Sequence, residues 1–224
     1  MTRNEKILIS VSSVLLVGGL AFLFRKQIKS LIKGQGEVSR AASKLAISEW
    51  EHWGRGRIKE GDAATMERLR QYWRQGGGVD WSDRKMIDEA WSAAFISYLM
   101  GKAGAGDNFK YSTSHSEYIR DAVKNRKQNN QKTFKGFRPE EVKIDVGDLV
   151  CYPRQSGVNY DSTGSYKSHC DIITKVENNQ AVSIGGNVSN SVTKSIVPLV
   201  NGKIDKGRDS KGYGGYFVVI KNQS

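Results

Sequence analysis

The stretch WSAAFISYLM, residues 91–100, decides how the rest of the chain is interpreted. It is short and almost wholly apolar, which is typical of a helix buried on most sides. The glycine-containing segment 101–106 is expected to end it. Ser92 lies at the start of this predicted helix, where backbone N–H groups are left without helical partners. Ser92 is therefore a candidate nucleophile, and a capping or packing role is the alternative.

Two amphipathic helices are predicted on the N-terminal side of this run. Residues 37–53 and 63–73 both carry apolar side chains at helical spacing. A glycine triplet at 76–78 ends the second helix. The segment 54–61 between the two helices is predicted to be a loop. We therefore expect the first half of the folded part to be helical.

On the C-terminal side, one more helix and two loops are predicted. Ser114 and Glu117 have the spacing of a capping box, which predicts a helix over about 115–127. Residues 125–135 are polar and are expected to form a mobile loop. Residues 154–167 are rich in Ser, Gly, Asn and Tyr, which indicates a long loop beside a functional site.

After one strand at 148–152, the pattern favours β-strands from His169 onward. Residues 177–180 have the composition of a hairpin turn. Helices that come first and antiparallel strands that follow predict an α+β fold, with the N-terminal helices packed on an antiparallel sheet. The predicted strands are 148–152, 170–176, 181–184, 192–198 and 213–221.

An apolar segment near the N-terminus predicts one transmembrane helix. Residues 7–24, ILISVSSVLLVGGLAFLF, contain no charged residue. At about 1.5 Å per residue they nearly cover a hydrocarbon core of about 30 Å. No small-x-small cleavage site follows, so we expect an uncleaved anchor. The sequence thus divides into a membrane anchor with its basic flank, 1–35, and a folded domain, 36–224.

The chain is strongly basic, with a formal net charge of +12. Such a charge raises affinity for polyanions such as nucleic acid, anionic lipid and anionic wall polymers. The sequence has no zinc-finger spacing, no aromatic RNA-binding pattern and no basic zipper. We therefore expect no nucleic-acid partner. A basic surface without a specific partner is the simpler interpretation of the charge.

The two cysteines, Cys151 and Cys170, both fall inside predicted strands. They could form a disulfide if their strands are neighbours and the compartment is oxidising. Two buried thiols that pack as small hydrophobic groups are the favoured alternative. The sequence alone does not decide between them.

His169 and Asp171 are two residues apart in a predicted strand, so their side chains share a face. They could form a base with a carboxylate neighbour. They could also bind zinc with His115 as a third ligand. A histidine satisfied by a backbone carbonyl is a third possibility. Asn187, after two glycines, fits either a tight bend or an amide that orients His169.

Several segments together resemble the bacterial DUF2272 family, which is related to the NlpC/P60 and CHAP peptidases. They span about residues 40–220, nearly all of the predicted soluble part. The segments are Ala46-x-x-Glu49-Trp50, Trp91 to Ser97, Ser114-His115-Ser116-x-Tyr118-Ile119, Gly147 to Cys151, Ser168 to Ile172, and Ile184 to Val188.

The resemblance implies a papain-like, NlpC/P60-like fold and the hydrolysis of amide bonds in peptidoglycan. Carried over by position, Ser92 is the nucleophile, His169 the base, and Asn187 or Asp171 the orienting residue. The chain departs from the pattern at position 92, where such enzymes have a cysteine. Serine does not ionise as a thiol does, so it needs a true general base.

The shared segments also imply substrate contacts from His115, Trp91 and Tyr118, although Trp91 equally fits the core. The expected function is a cell-envelope peptidoglycan hydrolase without a cofactor, such as a lytic factor or an antibacterial effector. One alternative is an inactive domain that binds peptidoglycan or an envelope partner. The other is a metal-dependent hydrolase that uses zinc held by His115, His169 and Asp171.

The expected location is the inner membrane, with a single span. Two basic residues precede the apolar segment 7–24 and four follow it. The positive-inside rule would then place the folded domain in the cytoplasm. A wall-degrading domain needs the opposite side, so the resemblance favours the envelope side against the charge flanks.

Overall fold

The computed structural model describes residues 36–205 and 213–223, of which Val38–Gln223 belongs to one compact unit. The predicted anchor, 1–35, lies outside the described residues. No helix within the described ranges has the length and apolar character needed to cross a membrane. The described helices are α1 (36–52), α2 (Ala63–Gln71), α3 (Asp83–Asp88), α4 (Ser92–Lys102) and α5 (His115–Lys127).

The second half forms an antiparallel sheet of seven strands, in the order β1-β7-β2-β3-β4-β5-β6. The α+β prediction is therefore confirmed. The strands are β1 (Phe134–Phe137), β2 (Leu149–Pro153), β3 (Ser168–Val176), β4 (Gln180–Gly185), β5 (Thr193–Val200), β6 (Lys203–Ile204) and β7 (Val218–Asn222).

Two hydrophobic cores lie on opposite faces of the sheet. The larger contains the helices together with sheet residues such as Cys170 and Ile172. The smaller core contains Val150 and Ile173. Ile173 directly follows Ile172 on β3, so its side chain points to the opposite face of the sheet. Residues 92–100 of α4 are all buried, as their apolar run predicts. The helix approaches the sheet closely at Gly186, where an added Cβ would lie 2.6 Å from the Phe95 ring.

The two cysteines are joined by a disulfide. Cys151 and Cys170 are directly opposite each other in the β2–β3 ladder, with their Cα atoms 4.1 Å apart. Both side chains are fully buried on the helix side of the sheet. The favoured prediction of two separate thiols is wrong, because the antiparallel register brings the residues face to face across 19 positions of sequence.

Three local predictions need correction. The helix begins at His115 as predicted, but the Ser114 side chain does not cap it and contacts Ser116 Oγ at 3.0 Å instead. The predicted loop 125–135 ends in strand β1, which pairs with the distant strand β7. Short α3 was missed, although Ser82 caps it through the Lys85 N–H. These elements depend on partners that a local pattern does not contain.

Candidate active site

The side chain of Ser92 meets an imidazole from a different helix. Ser92 is the first residue of α4 and His115 is the first residue of α5. Ser92 Oγ lies 2.7 Å from His115 Nε2. Both residues are buried. The packing of two helix N-termini side by side therefore creates a hydroxyl–imidazole pair with hydrogen-bond geometry.

The other nitrogen of His115 is held by a tyrosine of the same helix. His115 Nδ1 contacts the Tyr118 hydroxyl, three residues on and thus on the same helix face. Burial, followed by the nearby charge of Asp171, raises the pKa of Tyr118, so its phenol stays neutral. Burial lowers the pKa of His115 well below 6.5, and the charges of His169 and Arg154 lower it further. His115 is therefore a neutral imidazole at pH 7.

A second imidazole is held by a carboxylate on the sheet. His169 Nε2 lies 2.9 Å from Asp171 Oδ1, and the two side chains are 2% and 1% exposed. Ser183 of the neighbouring strand donates to Asp171 Oδ2 at 3.2 Å. Because strand side chains alternate, His169 and Asp171 share a face while Cys170 points to the other. The predicted pairing of these two residues is thus what the strand geometry produces.

Gly185 leaves the space that this pair occupies. A Cβ added at Gly185 would lie 2.0 Å from Asp171 Oδ1 and 2.9 Å from His169 Nε2. Any side chain at this position would displace the carboxylate or the ring. The two glycines before Asn187 therefore make room for different groups. Gly185 lies against His169 and Asp171, whereas Gly186 lies against the Phe95 ring of α4.

The helix pair and the strand pair lie side by side. The ring centroids of His115 and His169 are 5.0 Å apart, and the Tyr152 ring lies 5.2 Å from that of His169 on the other side. Ser92, His115 and His169 line one cavity of about 800 Å³. Its walls are formed by Ala90, Ser92, Thr113, Ser114, His115, Arg154, Gln155, Ser165, Tyr166, Lys167, Ser168, His169 and Asn187.

A protein-family model described as "Uncharacterized protein conserved in bacteria (DUF2272)" matches residues 47–220, from within α1 to within β7. The chain belongs to the DUF2272 family. The match covers most of the chain and includes every residue of the two pairs. A search of the curated proteins and a search of the solved structures each found no match.

In this DUF2272 chain, Ser92, His169 and Asn187 all line the cavity, but the direct contact of Ser92 is with His115. Asn187 is half-buried and has a left-handed backbone, with φ at 54°. Among the described residues no hydrogen bond joins Asn187 to His169, whose Nε2 is bonded to Asp171. The geometry therefore gives Asp171 the orienting position and gives Asn187 a place in the bend.

The structure places Trp91 and Tyr118 behind the cavity. Trp91 is fully buried and stacks on Trp53 with ring centroids 4.9 Å apart. Its indole N–H donates to Glu60 Oε2 at 2.5 Å. Tyr118 is 1% exposed and contacts His115. Both rings are thus placed to support Ser92 and His115, and a substrate in the cavity would meet neither ring directly.

The shared segment around Glu49 also has a structural role. Glu49 is buried and accepts a hydrogen bond of 2.5 Å from the Tyr72 hydroxyl. The Trp53 indole donates to the same Tyr72 hydroxyl at 2.9 Å. Tyr72 in turn packs against Trp91, with ring centroids 5.6 Å apart. This aromatic cluster fixes the residue that immediately precedes Ser92.

The residues predicted as a zinc set are arranged differently from a metal site. Both nitrogens of His115 are engaged, by Ser92 and by Tyr118. The Nε2 atom of His169 faces Asp171. No group of three or more potential ligands is found within residues 36–205 and 213–223.

The first turn of α4 also contains backbone N–H groups. Phe95 N–H bonds the Trp91 carbonyl and closes the first helical turn. The N–H groups before it, from Ser92 to Ala94, lie in the first turn, where a helix supplies no acceptor. Donors of this kind stabilise a developing oxyanion. The site therefore combines a hydroxyl and a neutral imidazole at the N-terminus of α4.

Proposed function

We propose that this protein is a hydrolase that cleaves amide bonds of peptidoglycan with Ser92 as the nucleophile. The observation that carries the proposal is the 2.7 Å contact between Ser92 Oγ and His115 Nε2 in a cavity of about 800 Å³. A nucleophile and a base within hydrogen-bond reach, with a third group on the far nitrogen, is the arrangement that activates a serine.

In the acylation step, the Ser92 hydroxyl attacks the carbonyl carbon of the scissile amide. Its proton passes to His115 Nε2, which requires the tautomer whose Nδ1–H donates to the Tyr118 hydroxyl. The N–H groups at the start of α4 receive the oxyanion. The amide C–N bond then breaks, and the imidazolium returns the proton to the leaving amine. Water repeats the sequence and releases the acid from Ser92.

The strand pair supplies the electrostatic support for this step. When His169 donates from Nε2 to Asp171, the pair carries the carboxylate charge beside the His115 ring. A negative charge there stabilises the imidazolium that forms on His115 only while His169 itself is neutral, because a charge on His169 lowers the pKa of His115. His169 thus acts through its neighbour, whereas the resemblance to papain-like enzymes makes it the base itself. If His169 supports His115, substitution of His115 should reduce activity more. If His169 is the base, substitution of His169 should reduce activity more.

The papain-like part of the proposal rests on topology. A residue at the start of a buried helix and a histidine at the start of a strand line one cavity. The order of the segments is similar to that of NlpC/P60 and CHAP peptidases, which cleave amide bonds in peptidoglycan. The net charge of +12 favours an anionic substrate such as the cell wall.

We place the domain on the envelope side of the inner membrane, anchored by residues 7–24. The Cys151–Cys170 disulfide supports this side, because disulfides persist in oxidising compartments. The flanking charges favour the opposite orientation. Accessibility of the domain to protease in spheroplasts, compared with lysed cells, tests the orientation.

The experiment that tests the proposed function is the digestion of purified peptidoglycan by the full chain. We expect new peptide ends with the wild type and a loss of at least about 10³-fold with Ser92→Ala. Ser92→Cys is the matched variant, which keeps a nucleophile of the type found in the similar enzymes and should retain activity. Full activity of Ser92→Ala would remove the serine mechanism. Activity that requires added zinc and is lost to a chelator would favour the metal-dependent alternative.

The second candidate function is peptidoglycan binding without turnover. It is favoured by the hydroxyl at position 92, where the similar enzymes have a thiol. Pull-down of the chain by peptidoglycan that shows no new peptide ends would support this alternative.

A further inference from the structure

The cavity that contains Ser92 is lined by two basic side chains, and the nearby carboxylate of Asp171 is buried against His169. Arg154 and Lys167 both line it and both are exposed. None of the described residues lining the cavity is Asp or Glu. A cleft lined by charges of one sign concentrates ligands of the opposite sign. The wall therefore favours a substrate that carries a negative charge.

The two basic residues are the two ends of the 154–167 loop, and hydrogen bonds hold these ends together. The Arg154 N–H donates to the Lys167 carbonyl at 2.9 Å, and the Lys167 N–H donates to Gln155 Oε1 at 2.8 Å. The first of these bonds continues the antiparallel pairing of β2 and β3 beyond Pro153 and Ser168. The backbone positions of the two cations are thus fixed by the same strands that present His169.

The Arg154 side chain packs against Tyr152. Its guanidinium carbon lies 5.6 Å from the centroid of the Tyr152 ring, and its Nη2 lies 3.4 Å from the Tyr152 hydroxyl. The Tyr152 ring also packs against His169, at 5.2 Å between centroids. The Arg154 charge also contributes to the lowered pKa of His115. Arg154 therefore lies beside the Tyr152 ring in the cavity that both imidazoles also line.

We propose that Arg154, assisted by Lys167, binds a carboxylate of the substrate beside the scissile carbonyl, so that the preferred substrate is a peptide with a free carboxylate near the cleaved bond. The inference rests on the proposed function for the location of the scissile bond. Guanidinium groups bind carboxylates with two parallel hydrogen bonds, which orients the ligand as well as attracting it. Among the described residues, the Arg154 side chain bonds the Tyr152 hydroxyl and is otherwise available for such a ligand.

Binding to the full chain with Ser92→Ala tests the proposal without any need for turnover. The probes are two synthetic peptidoglycan stem peptides, one with a free C-terminal carboxylate and one with a C-terminal amide, titrated by calorimetry. We expect tighter binding of the carboxylate peptide. Adding Arg154→Gln should raise its Kd about tenfold and leave the Kd of the amide peptide unchanged. Lys167→Gln should have a smaller effect in the same direction.

Arg84→Gln in the same background is the matched control, because Arg84 is exposed on α3 and pairs with Asp88 outside the cavity. It should leave both Kd values unchanged. Equal affinity for the two peptides, no binding of the carboxylate peptide, or an equal loss for both peptides in Arg154→Gln would overturn the proposal. A Ser92→Ala enzyme that still digests peptidoglycan would remove the serine mechanism and leave this binding result standing, so the two failures are distinguishable.

Discussion

The cavity contains two imidazoles, one from a helix and one from a strand. The residue that contacts each imidazole is brought there in a different way. His169 and Asp171 are two residues apart on one strand, so β geometry alone places them together. Ser92 and His115 are 23 residues apart and meet because α4 and α5 both pack against β3 with their first residues in contact. The comparison teaches that the residue bonded to a nucleophile depends on helix packing, which a motif in one strand does not contain.

Replacing each imidazole in turn is the strongest test of which histidine is the base. His115→Gln should reduce the rate of peptidoglycan digestion about 10³-fold, because it removes the base bonded to Ser92. His169→Gln should cost about tenfold to 100-fold, because it removes only electrostatic support. The measurement is the initial rate of peptide-end release. A loss in His169→Gln that equals or exceeds that in His115→Gln would make the strand imidazole the base.

The strand side is also tested through the glycine that packs on it. Gly185→Ala should destabilise the fold by about 1–3 kcal/mol and lower activity, since the added methyl would overlap Asp171. Gly164→Ala is the control, because nothing lies within 4 Å of a Cβ at that position. Urea denaturation and digestion rates measure the two effects. An unchanged activity in Gly185→Ala would show that the His169–Asp171 pair is not needed.

The sequence was sufficient for the elements whose signals are local. The apolar run of α4 and the alternating pair on β3 are both found where they were predicted. The Cys151–Cys170 bond was not the favoured prediction, because it depends on strand register, which the sequence does not show. The contact of His115 with Ser92 was not predicted for the same kind of reason, since the Ser114–Tyr118 segment has no local signal for it. Its presence among the segments that resemble the family was the one available clue.

The helix side predicts a specific effect of Tyr118→Phe. Loss of the hydroxyl leaves His115 Nδ1 without its partner, so the tautomer that accepts the Ser92 proton is no longer fixed. We expect about a tenfold fall in kcat and about 1 kcal/mol of lost stability. Tyr160→Phe is the matched control, because its buried hydroxyl donates to the Gly136 carbonyl at 2.9 Å, outside the cavity. It should lose similar stability and keep its activity; equal kcat values in the two variants would argue against the orienting role.

The smallest expected effect is in the pH dependence. Because burial holds the pKa of His115 below 6.5, the base stays unprotonated as pH falls through 6.5, and kcat/KM should decline only at lower pH. The unfolded chain does take up this proton near pH 6.5. The free energy of unfolding should therefore decrease as pH falls below about 6.5, by at most about 1.4 kcal/mol per pH unit. His115→Gln should flatten this slope, whereas replacement of the exposed His52 should leave it unchanged. A slope that is the same in both variants would show that His115 is not its source.

The central claim, that Ser92 is activated by His115, is tested most directly by covalent labelling with a fluorophosphonate. In this reaction Ser92 Oγ bonds to phosphorus and fluoride leaves, so no knowledge of the natural substrate is required. Peptide mapping by mass spectrometry should find the label on Ser92 of the wild type. The labelling rate should fall about 10³-fold in His115→Gln and much less in His169→Gln. Absence of the label from Ser92, or a wild-type labelling rate in His115→Gln, would contradict the claim.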